Sequence, residues 1–143
     1  MFKRILIPTD GSGLSQIAVQ QGVKLAKESG AKVTFLNVAV PFHVFTYDAE
    51  SIEDTKPQYE KRVRARGERI LGECQKVARG ADVPSDTRFY ISEHPYEEIV
   101  KAARDADLVV MASHGRKGVK GVLLGSETQK TLTHSDTPVL VIR

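Results

Sequence analysis

The sequence has 143 residues, of which 41% are hydrophobic and 27% charged, as is ordinary for a globular protein of one domain. The formal net charge is +3, and the basic residues are spread along the chain, which argues against a nucleic-acid-binding protein. Cys74 is the single cysteine, so it can form neither an internal disulfide nor a cysteine metal cluster. No apolar run is long enough for a signal peptide or a membrane span, so we expect a cytoplasmic protein.

The first third of the chain predicts two strands with a helix between them. Phe2–Pro8 and Val33–Val40 are short apolar runs typical of strands covered on both faces. Leu14–Ser29 repeats apolar residues at helical spacing. Ser12 can cap this helix, and Gly30 stands where a glycine often ends one.

The middle of the chain is less regular. Residues 41–57 mix aromatic and acidic side chains and predict a long loop of the kind that covers a site or a partner. Gln58–Arg79 has helical periodicity and ends on Gly80. Thr87–Ser92 alternates apolar and polar residues and is a weaker strand candidate. Pro95–Arg104 predicts a helix that begins with proline.

The last third predicts a strand over Leu108–Ala112, a helix from Ser126, and a final strand over Val139–Ile142. Ser126 and Gln129 have the spacing of a capping box. Along the whole chain, strands and helices therefore alternate, which predicts an α/β domain with a parallel sheet and right-handed crossovers.

Ligands of open α/β sheets bind beyond the carboxyl ends of the strands. The segment 113–126 follows the fourth strand and has glycines at 115, 118, 121 and 125, with Arg116, Lys117 and Lys120 among them. Glycines let backbone N–H groups approach a phosphate, and a helix N-terminus favours an anion. These residues therefore indicate a phosphate site, unless the glycines only shape turns.

Other residues leave similar alternatives. Asp10 follows the first strand and can bind a ribose diol, close an Asp-Gly turn or cap the next helix. His114 lies in the glycine-rich segment and can reach a phosphate, whereas no histidine has a second ligand at metal spacing. A Walker loop, a dinucleotide GxGxxG fingerprint and a GxSxG nucleophile elbow are all absent from the sequence.

The sequence resembles the universal stress protein family along its full length. The likeness is carried by KRILIPTDGS near the start, by DADLVVMASHGRKGVKGVLLGSETQK, and by HSDTPVLVIR at the end. The family's nucleotide-binding subgroup has a glycine, two residues, a glycine, nine residues, and then glycine with Ser or Thr. Gly115 and Gly125-Ser126 match this motif, and Ala112 occupies its first glycine position.

The resemblance implies one domain over residues 1–143, with a Rossmann-like, five-stranded parallel sheet in the order 3-2-1-4-5 and helices on both faces. It implies ATP, with or without Mg²⁺, at the carboxyl edge, and a homodimer joined through Val139–Ile142. An apolar strand at the uncovered edge of a sheet also favours pairing.

The residues that the resemblance assigns to the nucleotide fall into four groups. They are Pro8, Thr9 and Asp10 beside the adenosine, with Asp10 on the ribose; Val38 on the adenine; Met111 and Ala112 alongside; and Gly115, Arg116, Gly125, Ser126 and Glu127 at the phosphates.

The sequence therefore predicts a dimeric, nucleotide-responsive stress or signalling module that binds ATP and an unknown protein partner, and is at most a slow ATPase. One alternative is an interaction module that has lost nucleotide binding. Another is an enzyme of the ATP pyrophosphatase type, but PTDGSG after the first strand lacks the SGGxDS loop of that class. Nucleic-acid binding is disfavoured by the modest charge and by strands without aromatic stacking pairs.

Overall fold

The computed structural model describes residues 1–43, 55–115 and 123–143. Its elements in chain order are β1 Arg4–Pro8, α1 Gly13–Ser29, β2 Lys32–Ala39, α2 Lys56–Gly80, β3 Ser85–Ile91, α3 Pro95–Ala103, β4 Leu108–Ala112, α4 Ser126–His134 and β5 Val139–Ile142. Most of the predicted 41–57 loop, together with Arg116, lies outside the described residues. None of the helices in the described ranges is long and apolar enough to span a membrane.

The five strands form one parallel sheet in the order β3-β2-β1-β4-β5, so the predicted fold is confirmed. β1 is central: Ile7 pairs with Phe35 of β2 on one side, and Leu6 pairs with Val109 of β4 on the other. From β1 the chain first winds toward β3 and later toward β5. The carboxyl ends of β1 and β4 therefore border the point where the winding reverses, which is where such sheets bind ligands.

Two apolar clusters cover the two faces of the sheet because successive strand side chains alternate between the faces. Ile5 and Ile7 of β1 pack with Val23 of α1 and Leu71 of α2. Leu6, between them, belongs to the second cluster, to which α3 contributes. The near-continuous apolar strands of the sequence follow from this cover on both sides.

The predicted caps of α1 are confirmed. Ser12 is the N-cap and accepts a hydrogen bond from the N–H of Ser15, and Gly30 has the left-handed φ of 70° of a C-terminal glycine. The second long helix ends on Gly80, as predicted. Unlike Gly30, however, Gly80 is the last helical residue rather than the C-cap, which is Ala81 with φ −100°.

The start of α2 also differs from the prediction, since the helix begins at Lys56 rather than Gln58. The hydroxyl of Thr55 accepts from the N–H of Gln58, and the side chain of Gln58 accepts from the N–H of Thr55. This capping box satisfies first-turn N–H groups and brings Lys56 and Pro57 into the helix.

Two glycines of α2 permit a paired test of this packing. A Cβ on Gly67 would overlap the Phe89 ring and lie 3.0 Å from Oδ1 of Asn37, whereas a Cβ on Gly72 meets nothing within 4 Å. We expect Gly67→Ala to lower the free energy of unfolding by about 1–3 kcal/mol. Gly72→Ala should raise it by roughly 0.5–1 kcal/mol, because Ala is the better helix former. Chemical denaturation of both variants measures the free energy of unfolding. Equal effects of the two substitutions would contradict the close packing of Gly67 against Phe89.

Cys74 permits a test of burial. Its side chain lies in the core, and burial raises the pKa of the thiol to about 11, although a hydrogen bond with the Thr9 side chain lowers it in part. Native protein at pH 8 should therefore resist a thiol-directed reagent that labels the unfolded chain rapidly. The thiol pKa is higher in the folded protein than in the unfolded chain. Its contribution to the free energy of unfolding is therefore complete below about pH 8.5 and is lost as pH rises toward 11. Rapid labelling of native protein would show that the thiol is accessible.

Candidate functional site

A cleft of about 630 Å³ opens at the carboxyl ends of β1, β2 and β4, a size that suits a small-molecule ligand. It brings together ten of the eleven predicted site residues: Pro8, Thr9, Asp10, Val38, Met111, Ala112, Gly115, Gly125, Ser126 and Glu127. The eleventh, Arg116, lies outside the described residues. That these residues bind a nucleotide stays a prediction.

A network of hydrogen bonds holds the end of β1. The N–H of Thr9 donates to the carbonyl of Leu36 at 2.8 Å, and the side-chain amide of Asn37 donates to the carbonyl of Thr9 at 2.9 Å. The hydroxyls of Thr9 and Ser15 are 3.0 Å apart. Thr9, Ser15 and Asn37 are all buried, so these bonds form in a region that excludes water and hold the backbone before Asp10 in place.

Asp10 begins the turn into α1. Its Oδ1 accepts a hydrogen bond from the N–H of Ser12 at 3.0 Å, and Gly11 supplies the left-handed φ of 80° that the turn requires. The structure therefore shows the turn-closing role that the sequence left open. The second carboxylate oxygen, Oδ2, lies against Gly115, which follows β4.

The absence of a side chain at Gly115 permits this contact. A Cβ built on its backbone would overlap Oδ2 of Asp10, and any side chain at 115 would displace that carboxylate. The loops after β1 and β4 meet at this point. The family resemblance assigns Gly115 to phosphate, which stays a prediction, and the structure places Gly115 against the Asp10 carboxylate.

Gly125 joins the glycine-rich segment to α4. Its φ of −71° and ψ of 162° are extended, so glycine is not needed here for backbone conformation. The reason is proximity: a Cβ at 125 would lie 3.0 Å from Cα of His114, and the N–H of Gly125 donates to the carbonyl of Ser113 at 2.6 Å. The start of α4 is therefore held directly against the end of β4.

The predicted capping box of the last helix is wrong. Gly125 rather than Ser126 is the N-cap of α4, because Ser126 already has helical backbone geometry at the first position of the helix. Gly125 has no side chain to cap the first-turn N–H groups, and the N-terminus of α4 opens on the cleft. Such an end is suited to an anion because its N–H groups and dipole both favour negative charge.

Two further residues of this wall serve structural roles. Ala112 is the last residue of β4 and pairs with Ile142 of β5. Its φ is not positive, so the methyl group in place of glycine causes no backbone strain. The carbonyl of Ala112 accepts a hydrogen bond of 2.8 Å from the buried hydroxyl of Thr128, which ties the first turn of α4 to β4.

Helix α2 contributes a wall of the cleft that the sequence did not predict. Five of its residues line the cleft at helical spacing: Tyr59, Arg62, Val63, Arg66 and Ile70. The hydroxyl of Tyr59 donates to the carbonyl of Val40 at 2.8 Å, and the guanidinium of Arg62 lies 5.4 Å from the centroid of the Tyr59 ring. Arg62 and Arg66 beside apolar residues at helical spacing could have indicated a helix that lines a ligand cleft. Periodicity alone, however, does not tell which element of the fold that side of the helix contacts.

The sequence also did not predict that Asn37 lines the cleft, although it is the one strongly polar side chain within the apolar run VTFLNVAV. Among the histidines, His114 does line the cleft, and its Nδ1 lies 3.1 Å from the hydroxyl of Ser113. Within residues 1–43, 55–115 and 123–143, no group of three or more His, Cys, Asp or Glu side chains could hold a metal ion.

Comparison with known proteins identifies the family to which this fold belongs. The model of the universal stress protein family matches residues 1–143. Universal stress protein YxiE of Bacillus subtilis is 32% identical over 149 aligned positions, which cover 100% of both chains. The solved structure of MJ0577 from Methanocaldococcus jannaschii matches with a TM-score of 0.82 at 28% identity, covering 99% of this chain and 96% of that one.

A universal stress protein solved in complex with cAMP is similar as well, with a TM-score of 0.73 at 27% identity, covering 99% of this chain and 97% of that one. The resemblance seen in the sequence is therefore confirmed by the family model, by relatives and by the sheet order. The chain belongs to the universal stress protein family.

Proposed function

We propose that this protein belongs to the nucleotide-binding subgroup of its family and binds ATP in the cleft at the carboxyl edge. The observation that carries the proposal is that Asp10 and the N-terminus of α4 line the same cleft. A carboxylate suits a ribose diol, and an N-terminus without a side-chain cap suits a phosphate chain. A nucleotide presents both groups together.

The remaining walls suit the base. Apolar side chains from two strands and α3 face the cleft: Leu36, Val38, Met111 and Ile99. A purine can pack on them and exchange hydrogen bonds with the backbone of β2 near Val38, because β1 pairs with β2 only as far as Leu36. The base would then lie near β2, the ribose at Asp10 and the phosphates at Gly125, Ser126 and Glu127. That a similar protein was solved with cAMP supports an adenine nucleotide.

Magnesium would enter with the nucleotide rather than occupy a site of its own. Mg²⁺ is commonly held by one or two carboxylates together with substrate phosphates. Asp10 and Ser126 line the cleft, and their side-chain oxygens would be the protein's ligands to the ion. We assign no catalytic residue and propose at most slow hydrolysis, so that binding and release of ATP carry the response.

We further propose that the protein is a cytoplasmic homodimer joined through β5. β5 pairs with β4 along one side and forms an edge of the sheet, and the side chain of Leu140 is 42% exposed. An apolar edge strand presents backbone groups that pair readily with a second chain. The N–H of Ser113 donates to the carbonyl of Ile142 at 2.7 Å, which ties the end of β5 to the residue between Ala112 and His114 of the cleft lining. This proximity would let the nucleotide influence the dimer or a partner protein.

The alternative is an interaction module of the same family that binds no nucleotide. Ala112 at a glycine position of the motif is the observation that favours it. The strand conformation of Ala112 and its bond from Thr128 support retention of the site instead.

A calorimetric titration with Mg-ATP tests the nucleotide site. We expect saturable binding by nucleotide-stripped protein, and binding at least tenfold weaker in Gly115→Ala, because the new methyl displaces the Asp10 carboxylate and weakens a charged hydrogen bond. Gly13→Ala is the matched control: it lies at the same edge, and its Cβ meets nothing within 4 Å. No binding by the wild type at millimolar ATP would favour the interaction module.

Sedimentation equilibrium tests the dimer. Leu140→Asp places a charge on the apolar edge and should convert the dimer to a folded monomer, because Leu140 is 42% exposed and lies outside the buried core. Val77→Asp is the control, since Val77 is 37% exposed on α2 and away from β5. A Leu140→Asp protein that stays dimeric, or a wild type that is monomeric at high concentration, would show that β5 is not the interface.

A further inference from the structure

The carboxylate of Glu127 lies at the start of a different helix from its own. Glu127 is in the first turn of α4, yet its Oε2 accepts a hydrogen bond of 2.7 Å from the backbone N–H of Tyr96, in the first turn of α3. His94, the N-cap of α3, makes no side-chain capping bond. Glu127 therefore serves as the anionic cap of α3 from outside that helix.

The N–H groups at the start of its own helix, α4, are nearer potential partners for this carboxylate. Glutamate in a first turn is ordinarily stabilised by the N–H groups and dipole of its own helix. In α4 those N–H groups have no side-chain cap, because the N-cap is Gly125. The Glu127 carboxylate bonds instead to the N–H of Tyr96 at the start of α3. It therefore does not occupy the N–H groups at the start of α4.

The rest of α4 shows that this bond is part of a wider attachment to α3. The ring of Tyr96 stacks on His134, the last residue of α4, with centroids 5.3 Å apart, and Nζ of Lys130 lies 5.5 Å from the Tyr96 ring centroid. On its other side, α4 is tied to β4 by the bond from Thr128 to the carbonyl of Ala112. The first turn of α4 is thus held from two directions, and Glu127 provides the one toward α3.

We propose that Glu127 is a positioning residue for the phosphate site. By bonding to the N–H of Tyr96, its side chain orients the first turn of α4 and keeps the turn's N–H groups available to a ligand anion. This role is separate from that of the Glu127 backbone N–H, and it rests on the proposed function because it concerns how the same site binds phosphate.

The test compares Glu127→Gln with Glu127→Ala. Neither variant has a charge at position 127, but only glutamine keeps an oxygen that can accept from the N–H of Tyr96. The comparison therefore isolates the hydrogen bond from simple repulsion between a carboxylate and phosphate. Affinities for Mg-ATP and for adenosine, measured by calorimetry, separate the phosphate site from the rest of the cleft, since adenosine has no phosphate.

We expect the alanine variant to bind Mg-ATP about fivefold more weakly than the glutamine variant, the loss of one neutral hydrogen bond. Both variants should bind adenosine as the wild type does. The amide resonance of Tyr96 in a ¹H–¹⁵N spectrum should move in Glu127→Ala and stay near its wild-type position in Glu127→Gln. Gln129→Ala, an exposed substitution on the same helix, is the control for a general effect on α4.

Equal Mg-ATP affinity of the alanine and glutamine variants would overturn the positioning role, while the proposed function would stand if the wild type binds. A parallel loss of ATP and adenosine affinity would also overturn it, because it would indicate a general structural effect. A wild type that binds no nucleotide would overturn the proposed function and this inference together.

Discussion

The contact between Gly115 and the carboxylate of Asp10 is the constraint on which the geometry of the cleft depends. It joins the loops that follow the two neighbouring strands β1 and β4, and the absence of a side chain at position 115 lets the carboxylate lie this close. Asp10 accepts a hydrogen bond from the N–H of Ser12 in the turn into α1, so the contact links the end of β4 to that turn.

Buried polar bonds behind the cleft make that geometry rigid. Thr9 takes part in bonds with Leu36, Asn37 and Ser15, and Thr128 bonds to the carbonyl at the end of β4. Such groups are costly to bury without partners, so each bond also favours one arrangement of the strand ends. A side chain at Gly67 would overlap the Phe89 ring and crowd Asn37. The position of Asn37 behind the cleft therefore depends on the packing of α2 as well.

Much of the fold could be predicted because it follows from local patterns. The predicted bounds of the strands lie within two residues of the observed ones, and the caps of α1 at Ser12 and Gly30 are confirmed. Errors occurred where backbone geometry decided between adjacent residues. Ser126 has the side chain of a cap, yet Gly125 is the N-cap because the chain must pass close to His114 before it can turn into the helix.

The sequence by itself determined the alternation of strands and helices, the sheet order through the family resemblance, and the residues that meet at the carboxyl edge. These follow from periodicity, turn chemistry and motif spacing, which are properties of neighbours along the chain. The tertiary structure alone decided that α2 supplies a wall with Arg62 and Arg66, that Gly115 lies against Asp10, and that Glu127 caps α3. Each of these depends on the direction of a side chain relative to an element distant in sequence, and that direction is set by packing rather than by local pattern.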